Sequence, residues 1–393
     1  MSKLFLALFL ALTPTAFASI WYVDGVNGND TNDCKTRTTA CKTIGHAISL
    51  ASSGDTIGVG PATYTENLTI GLGLKVIGAR ASTTIIDGGA VNTVVTVSGT
   101  ASVVLSKLTI RNGSATSGGG IANQGILTIN DTIVSGNHAG GGSIFGPCGG
   151  GGIYNLGTLT ISKSTINSNS AYWGAGICNR ANTATINDTT ISGNKAFTGF
   201  DSTLSSEGGG IYNAGTLILT NSTLSGNSAV NGGLPCYIPY GGGIYQHGGI
   251  LRINNSTLSG NYSLGCPPFE YGGGIFGNAT LQNTIVANST SGGNCYGTLT
   301  SNGYNLSSDS TCSFSGSGDL NNTDPQLGTL GNYGGPTQTM PLLTGSPAID
   351  AGNPNGCTDG SGNLLKTDQR GAPRHDKEDT SGCDMGAYER QSD

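Results

Sequence analysis

Three charged residues recur at the same position of a repeated sequence unit, in a chain where charge is scarce. Only 10% of the 393 residues are Asp, Glu, Lys or Arg, yet Asp131, Lys163 and Asp188 occupy equivalent places in three successive units. Asn221 and Asn255 continue the series. If the units stack at the strand spacing of about 4.8 Å, Lys163 lies next to both aspartates. Such a column can hold a metal ion and offer a base for proton abstraction, or it can be an ion-pair ladder that keeps like charges apart.

Aromatic residues concentrate in connections of variable length between the units. These connections are long at 138–148, 195–207, 229–240 and 262–271, and short at 170–173. Variable loops on one edge of a repeat protein commonly carry binding, and aromatic rings suit sugars or partner proteins. The same rings can equally serve only to pack the loops onto the repeats. The aromatic residues that we predict to contact a ligand are Tyr172, Trp173, Tyr237, Tyr240, Phe269 and Tyr271.

The run from residue 24 to 33 is crowded with oxygen donors near the N-terminus. Asp24, Asp30 and Asp33 within it are candidate ligands for calcium, which prefers oxygen. The run lacks the regular spacing and the bidentate glutamate of an EF-hand, so a turn-rich loop is the other interpretation. Calcium is the only cofactor that the sequence suggests.

The repeated unit is a glycine cluster followed by an isoleucine, a short apolar segment and a corner that ends in asparagine. Short segments with period-two apolar character, separated by glycine and asparagine corners, predict strands. Each unit is too small to fold alone, so neighbours must stack, and we predict an all-β, single-stranded parallel β-helix, a solenoid of about 22 residues per turn plus a loop. The anchoring residues, 24 to 34 positions apart, are Ile121, Ile153, Ile177, Ile211, Ile244 and Ile275.

Two columns of asparagine should run along this coil. Stacked side-chain amides can hydrogen-bond to one another between turns, although a role in lining a sugar site is the alternative. The first column is Asn123, Asn155, Asn179 and Asn213, continued by Gln246. The second column is Asn137, Asn169, Asn194, Asn227 and Asn261.

We divide the chain into four segments. Residues 1–18 have the features of a signal peptide, with a positive start, an apolar stretch and a small-x-small cleavage site. Residues 19–66 form an N-terminal cap with a short amphipathic helix, residues 67–290 the β-helix repeats, and residues 291–393 a loop-rich C-terminal coil and cap. No other apolar run is long enough to cross a membrane as a helix.

Ten cysteines in an exported chain predict disulfides. Proximity in sequence suggests the pairs Cys34–Cys41, Cys295–Cys312 and Cys357–Cys383, and stacked loops would bring Cys236 beside Cys266. Cys148 and Cys178 remain, although they are not at equivalent repeat positions. The chain also lacks the clustered lysine and arginine that nucleic acid requires, which excludes that partner.

Several short sequence motifs of the chain resemble motifs of known families. The repeat at 208–227 and the tail words at 322–327, 346–352, 368–371 and 383–389 resemble choice-of-anchor Q domain-containing right-handed parallel β-helix repeat proteins. That resemblance implies export and a right-handed coil, but no established reaction and therefore no catalytic residue. The repeat is also similar to those of the adhesin-like polymorphic outer-membrane proteins. The N-terminal words at 22–30 and 54–66 look like the opening of pectate-lyase-type β-helix proteins.

Two functions follow as hypotheses. The first is a secreted or cell-surface protein with a non-enzymatic, adhesin-like or structural role towards polysaccharides, surface glycoproteins or host and cell surfaces. The alternative is a polysaccharide-degrading enzyme of the pectate-lyase type, which would perform calcium-assisted β-elimination with Lys163 and its two neighbouring aspartates. The sequence contains no H-E-x-x-H, P-loop or G-x-S-x-G motif.

Overall fold

The computed structural model describes residues 18–140, 148–198, 204–232, 237–265, 270–374 and 382–392. In chain order the elements are β1 (Ile20–Val23), α1 (Ile44–Leu50), β2 (Thr56–Val59), β3 (Ala62–Thr65), β4 (Leu68–Ile70), β5 (Leu74–Gly78), β6 (Thr84–Asp87), β7 (Val95–Val97), β8 (Ser102–Ser106), β9 (Thr109–Arg111), β10 (Ser114–Ala115), β11 (Ile121–Asn123), β12 (Ile126–Asn130), β13 (Ile133–Ser135), β14 (His138–Ala139), β15 (Ile153–Asn155), β16 (Thr158–Ser162), β17 (Thr165–Asn167), β18 (Ser170–Ala171), β19 (Ile177–Asn179), β20 (Thr183–Asn187), β21 (Thr190–Ser192), β22 (Lys195–Thr198), β23 (Ile211–Asn213), β24 (Thr216–Thr220), β25 (Thr223–Ser225), β26 (Ser228–Asn231), β27 (Ile244–Gln246), β28 (Ile250–Asn254), β29 (Thr257–Ser259), β30 (Tyr262–Leu264), β31 (Ile275–Phe276), β32 (Ala279–Gln282), β33 (Ile285–Ala287), β34 (Cys295–Tyr296), β35 (Leu299–Ser301) and β36 (Leu306–Ser307).

These strands form four parallel sheets that run along one coil. The A sheet has the order β1-β2-β5-β8-β12-β16-β20-β24-β28-β32-β35, and the B sheet β3-β6-β9-β13-β17-β21-β25-β29-β33-β36. The C sheet has the order β4-β7-β11-β15-β19-β23-β27-β31-β34, and the D sheet β10-β14-β18-β22-β26-β30. One turn visits the C, A, B and D sheets in succession, as β11 to β14 do. The fold is the predicted right-handed parallel β-helix.

The anchoring isoleucines form one stack inside the coil. Ile121 pairs in register with Ile153, and the series continues through the C sheet to Ile275. All six are fully buried. Because a buried isoleucine contributes roughly 1.5–3 kcal/mol through the hydrophobic effect, this stack is a principal source of stability. The prediction that these residues mark successive rungs of one coil is confirmed.

Both asparagine columns are ladders inside the coil. The Nδ2 of Asn123 donates to Oδ1 of Asn155 at 2.7 Å, and the chain of amides continues to Gln246. In the second column, Asn137 donates to Asn169 at 3.0 Å and also to the backbone oxygen of Ile110. The asparagines of both ladders are at most 1% exposed. They satisfy buried backbone groups at the corners, so the structural interpretation is correct and the sugar-site alternative is wrong.

The glycine clusters have a steric cause. Gly208 adopts a φ of +63°, in the left-handed region that side chains disfavour. A Cβ on the next residue, Gly209, would collide with the backbone oxygen of Gly242 on the following turn. Only glycine fits where the corner turns this close to its neighbour.

Helix α1 covers the N-terminal end of the coil as predicted. Ile44 and Ala47 are buried, and the helix contacts β1, β2 and β4. The hydroxyl of Thr43 accepts the backbone N–H of His46 as an N-cap. In the described part of the chain, no helix is long and apolar enough to cross a membrane.

The ladders extend beyond the segment 67–290 on both sides. Strands β1 to β3 precede residue 67 and strands β34 to β36 follow residue 290, all paired within the A, B and C sheets. The predicted signal peptide falls almost entirely outside the described residues, which begin at Ala18.

The chain after β36 returns along the outer face of the B sheet. Thr190, Thr223 and Thr257 occupy matching positions on β21, β25 and β29, and each hydroxyl contacts this C-terminal segment. For example, Thr223 Oγ1 donates to Oε1 of Gln369 at 2.6 Å. The outer face of the B sheet is therefore covered by the chain itself at β21, β25 and β29.

The predicted disulfides Cys34–Cys41, Cys295–Cys312 and Cys357–Cys383 are present. Cys148 and Cys178 also pair, because the connection before β15 brings Cys148 beside Cys178 on the neighbouring strand β19. Cys236 and Cys266 lie outside the described residues. Four disulfides in the part of the chain that the structure describes indicate an oxidising compartment.

Candidate functional site

The structure stacks the predicted catalytic column in register. Asp131, Lys163 and Asp188 have φ values of 47°, 48° and 49° and lie at the corner between the A and B sheets on successive turns. Asn221 and Asn255, both at 47°, follow on the next two. Asn and Asp tolerate the left-handed conformation better than most residues, so the corner itself explains why they recur there.

The charges of this column do not form close ion pairs. The described residues contain three ion pairs within 4.0 Å, which are Arg111–Asp87, Arg370–Asp368 and Arg374–Glu389. Lys163 is exposed.

Asp188 lies where the C-terminal segment crosses the corner. The hydroxyl of Thr337 in that segment donates to the backbone oxygen of Asp188 at 3.2 Å. Burial raises the pKa of Asp188 to about 6, against the opposing effects of a hydrogen bond from Asn221 and the charge of Lys163. The structure thus places the three candidates in one column but makes their surroundings unequal.

The three candidate calcium ligands are not brought together. Asp24 accepts the backbone N–H groups of Val26 and Asn27, and Asp30 accepts those of Lys42 and Thr43. These bonds help to lower the pKa of both carboxyl groups.

Asp33, the third candidate, accepts the hydroxyl of Thr39 at 2.6 Å. Across the described ranges, one grouping of three potential metal-ligand atoms lies within 4.8 Å, and it consists of Cys34, Cys41 and His46. Two of these sulfur atoms are already joined in a disulfide.

The C sheet carries a column of aromatic rings on its outer side. Tyr212, Tyr245, Phe276 and Tyr296 occupy the same register on β23, β27, β31 and β34. Their successive ring centroids lie 5.4, 5.3 and 5.2 Å apart, close to the spacing of the strands. Each follows a buried inward-facing residue, so strand alternation turns the ring outward.

A second column lies beside the first. Trp173, Glu207, Tyr240 and Tyr271 end the variable loops and pair by single backbone bridges on successive turns. Their rings contact the first column: Tyr240 lies 4.7 Å from Phe276, and Tyr271 lies 4.6 Å from Tyr296, between centroids. Trp173 stacks on Tyr212 at 6.4 Å. We call these two columns together the aromatic face.

The aromatic face contains three of the six predicted aromatic ligand contacts. Trp173, Tyr240 and Tyr271 belong to it. Tyr172 points into a separate depression beside the D sheet. Tyr237 lies in the loop before β27, where its backbone carbonyl accepts a hydrogen bond from the side-chain amide of Asn231 at the end of β26. Phe269 lies outside the described residues.

Sequence reasoning missed the first column and Glu207. The signal was present, because Tyr212, Tyr245 and Phe276 each come directly after an anchoring isoleucine. Once isoleucine is assigned to the interior, period-two alternation places the next residue outside. Tyr296, on the last C-sheet strand, is 49% exposed.

Glu207 introduces a carboxyl group into the aromatic face. It takes the column position that Trp173 and Tyr240 take on the neighbouring turns, and it accepts the hydroxyl of Ser205 at 2.6 Å. Burial among the rings raises the pKa of Glu207 to about 7. Burial and the nearby carboxylate also raise the pKa of Tyr212 to about 12. Glu207 can therefore donate or accept a hydrogen bond near neutral pH.

Further polar groups lie on or around the aromatic face. The exposed imidazole of His247 stacks on Tyr212 with centroids 5.6 Å apart. In the part of the chain that the structure describes, the hydroxyls of Tyr212, Tyr240 and Tyr245 have no protein hydrogen-bond partner. Partly exposed rings combined with free hydroxyls form a surface with both apolar and hydrogen-bonding capacity.

The disulfide Cys148–Cys178 lies at one end of the first column. Cys178 pairs in register with Tyr154 on one side and with Tyr212 on the other, so the bridge occupies the rung between these two tyrosines. Tyr154 and Trp173 pack against this cluster. The bridge fixes the loop that precedes the aromatic face to the coil.

Comparisons with known proteins concern the fold. No family model matches the chain, and no curated protein matches its sequence. The chain is similar in structure to the pectate lyase Pel9A, with 15% identity and a TM-score of 0.52 over 95% of this chain and 97% of that one. It is also similar to a pectin methylesterase variant in complex with a hexasaccharide, with 16% identity and a TM-score of 0.39 over 72% and 82% of the chains. Pectin methylesterase PemA from Erwinia chrysanthemi is also similar, with 15% identity and a TM-score of 0.36 over 72% of this chain and 81% of that one. At this identity, the likeness to Pel9A establishes a pectate-lyase-like β-helix fold and the fold alone.

Proposed function

We propose that this protein is an exported, non-enzymatic glycan-binding protein and that the aromatic face is its ligand surface. The observation that carries the proposal is the pair of outward columns, in which partly exposed rings stand beside free hydroxyls and a carboxyl group. Sugars present both C–H faces, which pack on aromatic rings, and hydroxyls, which need hydrogen-bond partners.

Export and adhesin-like attachment belong to the same proposal. The signal-peptide features of residues 1–18 and the disulfides support export. The sequence motifs that resemble those of choice-of-anchor Q proteins support a location at the cell surface or outside the cell. A rigid coil with one side free for ligand suits a protein that binds surface polysaccharide or glycoprotein.

A glycan array probed with the disulfide-intact mature chain, from residue 19 onwards, is the direct test. We expect binding to a defined set of oligosaccharides. Tyr296→Ala and Tyr240→Ala should each weaken the affinity about fivefold to tenfold, the effect of losing one stacked ring. Tyr22→Ala is the matched control, because Tyr22 is an outward-facing tyrosine on the A sheet. Unchanged affinity in both face variants would overturn the proposal.

The same preparation separates this proposal from β-elimination. Acidic polysaccharides with calcium are incubated with the protein, and absorbance from unsaturated products is followed. We expect no product. Product that forms with the unaltered chain and disappears in Lys163→Ala would instead assign catalysis to the corner column of Asp131, Lys163 and Asp188.

A further inference from the structure

The outer side of the D sheet contains a depression that the aromatic face does not use. It has a volume of about 350 Å³ and is lined by His138, Ser170, Ala171, Tyr172, Lys195 and Phe197. His138, Ser170 and Lys195 pair in register on β14, β18 and β22. The alanines that follow them are buried inside the coil, so alternation turns these three polar side chains outward.

The polar groups of the depression are hydrogen-bond donors of positive or neutral charge. Nδ1 of His138 lies 3.0 Å from Oγ of Ser170, which fixes the imidazole orientation. Nζ of Lys195 lies 4.8 Å from the ring centre of Phe197 and forms no ion pair within 4.0 Å among the described residues. None of the described residues that line the depression carries a carboxylate. Nζ of Lys195 and Nε2 of His138 therefore have no acceptor among the described residues, in a chain of net charge −6.

The remaining wall is aromatic. Phe197 stands two positions after Lys195 on β22, so alternation turns it to the same side. Tyr172 directly follows the end of β18 and also lines the depression. The ligand that fits such a wall is a ring, and the donors select a ring that carries negative charge. Charge-assisted hydrogen bonds from lysine and histidine to carboxylate or sulfate are stronger than neutral ones.

A catalytic role is less well supported by the same groups. A serine nucleophile needs a base that a third group orients. In the part of the chain that the structure describes, Nε2 of His138 has no hydrogen-bond partner. The geometry is therefore that of a binding pocket.

We propose that this depression binds the anionic group of an acidic sugar, either a uronic acid or a sulfated sugar. Tyr172 of the pocket and Trp173 of the aromatic face are consecutive residues. An acidic unit of a glycan held along the aromatic face can therefore reach the pocket. The inference does not depend on the aromatic face, because the charged donors and the ring wall are separate from it.

The test is calorimetric titration of the mature chain with an oligouronate and with its fully methyl-esterified counterpart. The two probes differ in charge and share the same rings. We expect the charged probe to bind at least about fivefold more tightly, which is the contribution of one charge-assisted hydrogen bond. The preference should shrink in high salt, because the donors are exposed. A sulfated oligosaccharide of similar length shows whether carboxylate or sulfate is preferred, and either preference supports the pocket.

Substitutions in the depression test whether its lysine and histidine cause the preference for the charged probe. Lys195→Gln combined with His138→Gln should remove the preference for charge, while Lys75→Gln, an exposed lysine on the A sheet, should leave it intact. Matching thermal unfolding curves verify the fold, which is expected because His138 and Lys195 are exposed. Equal binding of both probes by the unaltered chain, no binding of either, or a preference that survives the double variant overturns the inference. Loss of neutral-glycan binding in Tyr296→Ala concerns the aromatic face alone, so the two proposals can fail separately.

Discussion

The outer sides of the B and C sheets differ in what covers them. On β21, β25 and β29 of the B sheet, one outward position holds a threonine, and the returning C-terminal segment bonds to it. On β27, β31 and β34 of the C sheet, the outward positions hold aromatic rings that pack on one another and stay at least partly exposed. The same coil thus supports a closed side and an open side. The closed side contributes stability, and the open side keeps apolar surface available, which soluble proteins usually retain only for a purpose.

The largest effect should come from the ion pair that holds the closed side. Nη1 of Arg374 lies 3.0 Å from Oε2 of Glu389, both are 1% exposed, and Nη2 donates to Oδ1 of Asn221 at 2.7 Å. Arg374→Met removes one partner and leaves a buried carboxylate. We expect a loss of about 3–5 kcal/mol in the free energy of unfolding, measured with urea.

Arg111→Met is the control for that experiment. Arg111 also pairs with an aspartate, at 2.8 Å, but its side chain is 40% exposed. Its loss should cost less than about 1 kcal/mol. Equal losses in the two variants would mean that the C-terminal segment contributes little to the closed side.

Glu207, on the open side, should make the free energy of unfolding depend on pH. Its pKa rises from 4.5 in the unfolded chain to about 7 in the folded one. The folded state then binds more protons between these values, so stability falls as pH rises from about 4.5 to 7 and stays lower above it. Because the side chain keeps some exposure, we expect a penalty on the order of 2 kcal/mol at pH 8.

Glu207→Gln isolates this effect. The variant should gain stability relative to the unaltered chain at pH 8 and show no gain at pH 4, as judged from urea unfolding at each pH. The difference between the two proteins cancels the contribution of Asp188, whose raised pKa acts in the same direction. A gain that does not change with pH would show that the carboxyl group does not titrate in this range.

The smallest effect concerns a single hydroxyl on the closed side. Thr223→Val removes the donor to Oε1 of Gln369 in a buried contact. We expect a loss of about 1–2 kcal/mol, since an unpaired buried acceptor keeps its desolvation cost.

Thr160→Val, on an uncovered position of the A sheet, provides the comparison. Its side chain is partly exposed, so the change should remain within about 0.5 kcal/mol. A similar small change at Thr223 would indicate that water replaces the lost bond.

The coil was predictable from the sequence because its signals are local. Glycine clusters, inward isoleucines and corner asparagines recur with the unit, and each reports a steric or hydrogen-bonding need of one turn. The helix at 44–50 followed from the spacing of its apolar residues, and three disulfides followed from proximity in the chain. Of the six aromatic residues predicted from the loops, three lie on the aromatic face, and the strand residues beside them carry a period-two signal that the loop pattern does not contain.

The path of the C-terminal segment was not predictable in this way. Thr223 and Gln369 are 146 residues apart, and Asn221 and Arg374 are 153 apart, so no periodicity links them. That path makes the surroundings of Asp131 and Asp188 unequal, although the repeat gives both the same position. The pKa of Glu207 likewise depends on rings contributed by neighbouring turns.

The sequence by itself determined the repeating cross-section of this protein, since interior packing and corner geometry are imposed residue by residue within each turn. Only the tertiary structure decided which outer side is closed and which stays open. That choice depends on contacts between distant segments, and their free energy comes from burying groups together that the chain order keeps apart.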